Sequence, residues 1–184
     1  MAWHNQAHLG SKSFTCGFCG NLIASSTGYF QERNTSRKIF ICTHCSKPTF
    51  FDGDYQLPGV APGNSVSHLP VDVESLYSEA RNCVAASCYT AAVLVCRKLL
   101  MNIAVAQGAK AGDTFVKYVE YLAGKGYVPP NGQGWVDHIR KKGNEANHEI
   151  VLMSKSDADE LILFIEMLLK FIYEFPNKIP AANP

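Results

Sequence analysis

From Val71 onward, apolar residues recur at three- and four-residue intervals, and the chain divides into helical segments separated by short polar breaks. A first helix is expected over about 72–87 and a second over about 89–107. "TFVKYVEYLAGKG" supplies a third, capped by Asp113 and stopped at Gly124 or Gly126. Pro129 and Pro130 separate it from a fourth beginning near Gly134. A fifth starts at Ser156, with Asp157, Asp159 and Glu160 in its first turn, where carboxylates meet the positive helix end, and it stops before Pro176. Short connections of this kind favour antiparallel neighbours in a bundle.

The chain before Val71 has a different texture. Residues 13–54 are rich in aromatic and β-branched side chains, with "LIASSTGYF" and "RKIFI" as strands and "QERNTS" as the turn between them. Over 55–70, Pro58, Gly59, Pro62, Gly63 and Pro70 interrupt regular structure and mark a linker. The expected organisation is therefore a small β module at 13–54, a linker at 55–70 and a helical domain at 71–177.

The β module holds Cys16-x-x-Cys19 and Cys42-x-x-Cys45. Each pair makes a tight turn that aims two sulfurs at one point, and two such turns build a tetrahedral thiolate cage suited to structural Zn2+. The pattern is that of a zinc ribbon, with the metal holding up a fold too small to bury an adequate core. His44 is a substitute ligand for a cysteine. Arg33, Arg37 and Lys38 near the hairpin tip, beside Tyr29, Phe30 and Phe40, form either a phosphate-and-base contact or a solvated turn over a small aromatic core. Cys83, Cys88 and Cys96, among alanines and valines, read as small buried hydrophobes.

Wound as one helix, residues 135–150 put Trp135, Val136, Ile139, Gly143, Ala146 and Ile150 on one side. Asp137, Arg140, Lys141, Asn144 and His148 share the other. That polar face is either solvated or a site at which Arg140 and His148 hold a phosphodiester. In the last helix Glu166, Lys170 and Glu174 form one narrow polar stripe on an otherwise apolar rod, which calls for a central position or a second subunit and suggests a homodimer. Arg97, inside an apolar run, calls for the surface, a carboxylate such as Glu79 or Glu145, or a site.

Formal net charge is +1, so attraction to phosphate has to come from a local patch. The apolar run "LILFIEMLLKFIYEF" is interrupted by charge and shorter than the roughly 20 residues of a bilayer span. With no apolar block in the first twenty residues, the expectation is a cytoplasmic protein with no membrane partner.

"SLYSEARNCVAASCYTAAVLVCRKLLMNIA", followed by "WVDHIRKKGNEANHE" and a closing apolar helix, resembles the bacterial family called domain of unknown function 4145. The resemblance covers roughly 71–177 and rests most on the Ala-rich second helix with Arg97 and on Arg140, Gly143, Asn144 and His148. It implies a setting among restriction-type and phage-defence proteins. The helical domain is also similar to the HEPN superfamily, many of whose members are metal-independent ribonucleases with an arginine, a polar residue, three further residues and a histidine. Asn144 and His148 match that motif; Gly143 stands in the arginine slot, with Arg140 one turn earlier. The resemblance thus implies a mainly α, HEPN-like antiparallel bundle preceded by a small zinc ribbon. The leading expectation is a protein that binds or senses RNA or DNA through Arg33, Arg37, Lys38, Arg140 and Lys141, in phage defence. Alternatives are a dimeric endoribonuclease with Arg140, Asn144 and His148 as catalytic residues, and a non-catalytic adaptor for a protein partner.

Overall fold

The computed structural model describes residues 3–128, 134–139 and 152–178. The chain forms two compact units, 1–61 and 62–184.

In the first unit, five strands follow one another as an antiparallel meander: β1 (Ala7–Thr15), β2 (Leu22–Gln31), β3 (Asn34–Ile41), β4 (Pro48–Asp52) and β5 (Tyr55–Leu57). One face buries Phe14, Phe40 and Phe51, whose ring centroids lie 5.0–6.1 Å apart in tilted and edge-on contacts. Such aromatic packing contributes both area and geometry to a small core. Gly28 is a requirement of the β2–β3 seam. A Cβ there would stand 1.8 Å from the Ile39 carbonyl oxygen.

The second unit contains α1 (Val71–Ala85), α2 (Tyr89–Ala106), α3 (Phe115–Gly124), a helical stretch over 134–139, and α4 (Lys155–Leu169). The chain then widens into a π-helical turn at Lys170–Glu174 and closes with α5 (Phe175–Lys178), through Pro176. Helix α2 packs against α1, α3 and α4 and buries Val93, Cys96, Leu99, Leu100 and Ile103. The caps fall later in one case and earlier in the other than sequence spacing suggests. Thr114, not Asp113, caps α3 through Lys117 N. Ser154, not Ser156, caps α4 in a reciprocal capping box with Asp157.

The stretch 62–67 is laced to these helices. Arg81 donates to the carbonyls of Pro62 and Gly63 at 2.7 and 2.9 Å. Tyr77 donates to the Asn64 carbonyl at 3.0 Å. Asn64 N and Nδ2 donate to the two oxygens of Glu166 at 2.9 and 3.0 Å, and Ser67 N donates to Glu174 at 3.0 Å. Both carboxylates are buried and also pair with lysines one turn on, Lys170 and Lys178. The polar stripe of the last helix is therefore a clasp for the chain's own strap.

The expectation of a mainly α, HEPN-like bundle with a minor ribbon does not hold. Of the described residues 46% are helical and 22% lie in strands, and the β unit is a five-stranded sheet instead of one hairpin. Two features hide two of the three extra strands, β1 and β5. β1 carries a register irregularity between His8 and Lys12, around Gly10 at φ +75°, which breaks the two-residue alternation. β5 is only three residues long and runs straight into Pro58, so it reads as linker.

Candidate metal centre and sheet groove

The turn from β1 to β2 and the turn from β3 to β4 are built alike. In the first, Gly20 N donates to the Cys16 carbonyl and Cys16 N to the Asn21 carbonyl, at 2.8 and 3.0 Å. In the second, Ser46 N donates to the Cys42 carbonyl and Cys42 N to the Lys47 carbonyl, both at 2.9 Å. The residue after each second cysteine is left-handed: Gly20 at φ +70° and Ser46 at φ +58°. The first turn has no spare room, because a Cβ on Gly17 would lie 2.4 Å from the carbonyl oxygens of Pro58 and Gly59.

These turns bring Cys16, Cys19, Cys42 and Cys45 together with all four sulfurs within 4.8 Å of one another, and none is in a disulfide. Cys16 Sγ lies 3.8 Å from Cys45 Sγ, and Cys19 Sγ 3.8 Å from Cys42 Sγ. A metal at roughly 2.3 Å from each of four tetrahedral thiolates needs sulfur–sulfur edges of about 3.8 Å. The donor set fits a metal ion in both chemistry and spacing. Cys16 and Cys42 are buried and Cys19 and Cys45 half-buried, so the cage is closed by protein on one side. Asn21 hydrogen bonds draw the Cys19 thiol down to about 6, whereas burial pushes Cys45 up to about 12. A bound cation would hold all four as thiolates. His44 instead turns its Nδ1 toward Asn21 Nδ2, 3.3 Å away.

The face of the sheet opposite the aromatic core carries a second apolar row. Tyr29, Ile39, Phe50 and Leu57 stand directly opposite one another across β2, β3, β4 and β5. A groove of about 200 Å³ follows part of this row, lined by Tyr29, Phe30, Gln31, Arg37, Lys38, Ile39 and Phe50. Arg37 is tied to Asp52 at 2.8 Å, and that guanidinium, with Ser36, holds the Asp52 carboxyl below its usual range. Phe30 is 52% exposed. Of the residues singled out near the hairpin tip, Tyr29 and Arg37 share this face; Phe30 and Lys38, paired with each other and with Phe51, border the groove but alternate to the face of the aromatic core. Phe40 belongs to that core, and Arg33 lies in the β2–β3 turn. Phe50 and Leu57 escape sequence reading because their strands do, although "PTFFD" alternates as a strand should.

Arg140, Lys141, Gly143, Asn144 and His148 lie outside the described residues. On the described start of that segment, Val136 and Ile139 are buried as the helical pattern requires, and His138 Nε2 sits 2.6 Å from Glu160. Arg97 is only 5% exposed, with its guanidinium 4.2 Å from the centre of the Phe115 ring and Nη1 without a hydrogen-bond partner among the described residues. Burial lowers its pKa.

Residues 78–182, more than half the chain, match the Domain of unknown function (DUF4145). The chain belongs to the DUF4145 family. It matches no curated protein and no solved structure. The DUF4145 match begins within α1, so the four-cysteine sheet lies wholly outside it and extends the family domain with a separate, potentially metal-holding unit.

Proposed function

We propose that this DUF4145 protein is a nucleic-acid-binding protein whose contact surface is the groove of the first unit, held in shape by Zn2+ in the four-cysteine site. The observation that carries the reading is the meeting of Tyr29 and Phe50 with Arg37 on one face of the sheet, along a groove that Phe30 and Lys38 border. Aromatic faces stack on unpaired bases while basic side chains follow the phosphates, and the two together suit a single strand. The first unit supports this modestly in charge, with five Lys and Arg against three Asp and Glu over 1–61. Zinc is the metal of choice because four thiolates close a tetrahedron that leaves no position for catalysis. The expected placement in host–phage conflict is compatible with such binding.

The test is fluorescence anisotropy with a labelled single-stranded oligonucleotide across a salt series. Base stacking is worth roughly 1–3 kcal/mol, so Phe50→Ala should weaken binding about 5- to 150-fold. Arg37→Ala should weaken it and make the slope of log affinity against log salt shallower by about 0.7, the share of one neutralised phosphate. Asp52→Asn removes the carboxylate that occupies Arg37, so it should tighten binding. Salt-independent binding, or equal affinity in all three variants, would refute the proposal.

A further inference from the structure

Helix α1 ends in a Schellman motif. Cys88 N donates to the Cys83 carbonyl at 2.8 Å and Ser87 N to the Val84 carbonyl at 2.9 Å, with Ser87 left-handed at φ +61°. Side chains at the two outer positions of this motif commonly pack together, and here both are cysteines. The 2.8 Å bond keeps their Cα atoms within about 6.7 Å by ordinary peptide geometry, inside the roughly 4.4–6.8 Å that a disulfide spans. The reading of these residues as buried hydrophobes holds for Cys96 alone: Cys88 is exposed and Cys83 half-buried. Cys88 also lines an open cavity of about 410 Å³ with Ser87, Tyr89, Thr90, Leu152 and Met153. Burial raises the Cys83 thiol, and the neighbouring Cys88 adds to that effect. Their closeness is thus registered by charge as well as by backbone geometry.

We propose that Cys83 and Cys88 form an oxidisable dithiol, a modification site that small disulfides convert to a bridge across the turn between α1 and α2. The Cys88 thiolate, reached through the cavity, attacks one sulfur of glutathione disulfide and expels one glutathione thiolate. The Cys83 thiolate then attacks Cys88 Sγ in the mixed disulfide and expels the second. The two protein thiols lose two protons and two electrons, and the oxidant becomes two glutathione thiols.

The full-length, metal-loaded protein is treated with glutathione disulfide, alkylated and cleaved with chymotrypsin. Cleavage after Tyr89 leaves Cys83 and Cys88 on one fragment and Cys96 on the next. Mass spectrometry of the parent should find the first fragment two hydrogens lighter and unalkylated, exceeding any glutathione adduct at least about tenfold, because the second step is intramolecular. Cys83→Ser should instead accumulate the adduct on Cys88, and Cys88→Ser should show no bridge. A parent fragment with two alkylated thiols, or one carrying glutathione to the same extent as Cys83→Ser, overturns the proposal. Circular dichroism of both variants checks that their helices are retained.

Discussion

Two glycine-related positions set opposite demands on the β unit. At Gly28 the β2 backbone runs so close to the Ile39 carbonyl that no Cβ fits. Gly28→Ala should therefore destabilise the unit by about 1–3 kcal/mol or more, since the obstacle is backbone in a paired strand; denaturant unfolding followed by strand circular dichroism measures it. Ser46 is the reverse case. It occupies the left-handed conformation that its counterpart Gly20 adopts without strain. Replacing it with glycine relieves roughly 1–2 kcal/mol of steric cost and returns roughly 0.5–1 kcal/mol of chain entropy. Ser46→Gly should thus be neutral to stabilising by about 1 kcal/mol in the same assay. A clear loss of stability would mean that the Ser46 side chain has a role of its own.

Among the elements, the strap at 62–67 converts a Pro- and Gly-rich sequence into fixed structure. Glu174 is held down to about 2 by Lys178 and the Ser67 amide. For Glu166, burial pushes the pKa up, but Lys170 and the Asn64 donors outweigh it and the net shift is downward. Both carboxyls therefore protonate at lower pH in the folded chain than in the unfolded one, where glutamate titrates near 4.3. Their contribution is complete above about pH 5 and is lost as pH falls toward about 2, because the unfolded state takes up its protons first. Glu174→Gln should lower the melting temperature at pH 7 and make a difference less than half as large at pH 3. A difference that is the same at both values would show that the clasp is not electrostatic. The sequence displayed Glu166, Lys170 and Glu174 as a stripe but not its purpose, since the groups that answer it lie about 100 residues away and two are backbone amides.

That contrast runs through the whole molecule. Helices with a clear 3.6-residue rhythm were legible, because burial of one face is written in local spacing. The clustering of the four cysteines was legible for a similar reason, each pair fitting within one turn. Strands β1 and β5 were not, since a bulge and a length of three residues erase the alternation that identifies a strand. The groove required the register of three strands, which no local pattern specifies. Each unit has a core of its own, one of phenylalanines and cysteines, the other of helix-borne aliphatics. Metal removal should act on the first alone. An excess of chelator at neutral pH should abolish cooperative unfolding of the sheet while the helical signal near ~222 nm persists. Simultaneous loss of both would mean that the units do not fold independently.

The two halves of the sulfur cage belong to different hairpins, one closing β1 onto β2 and the other β3 onto β4. During synthesis from the N-terminus, Cys16 and Cys19 emerge first and remain a two-thiolate half-site until Cys45 has cleared the ribosome. Metal bound at this site would then enter late in the life of the nascent β unit. Until then, the first hairpin offers a bidentate claw to any thiophilic ion in its surroundings.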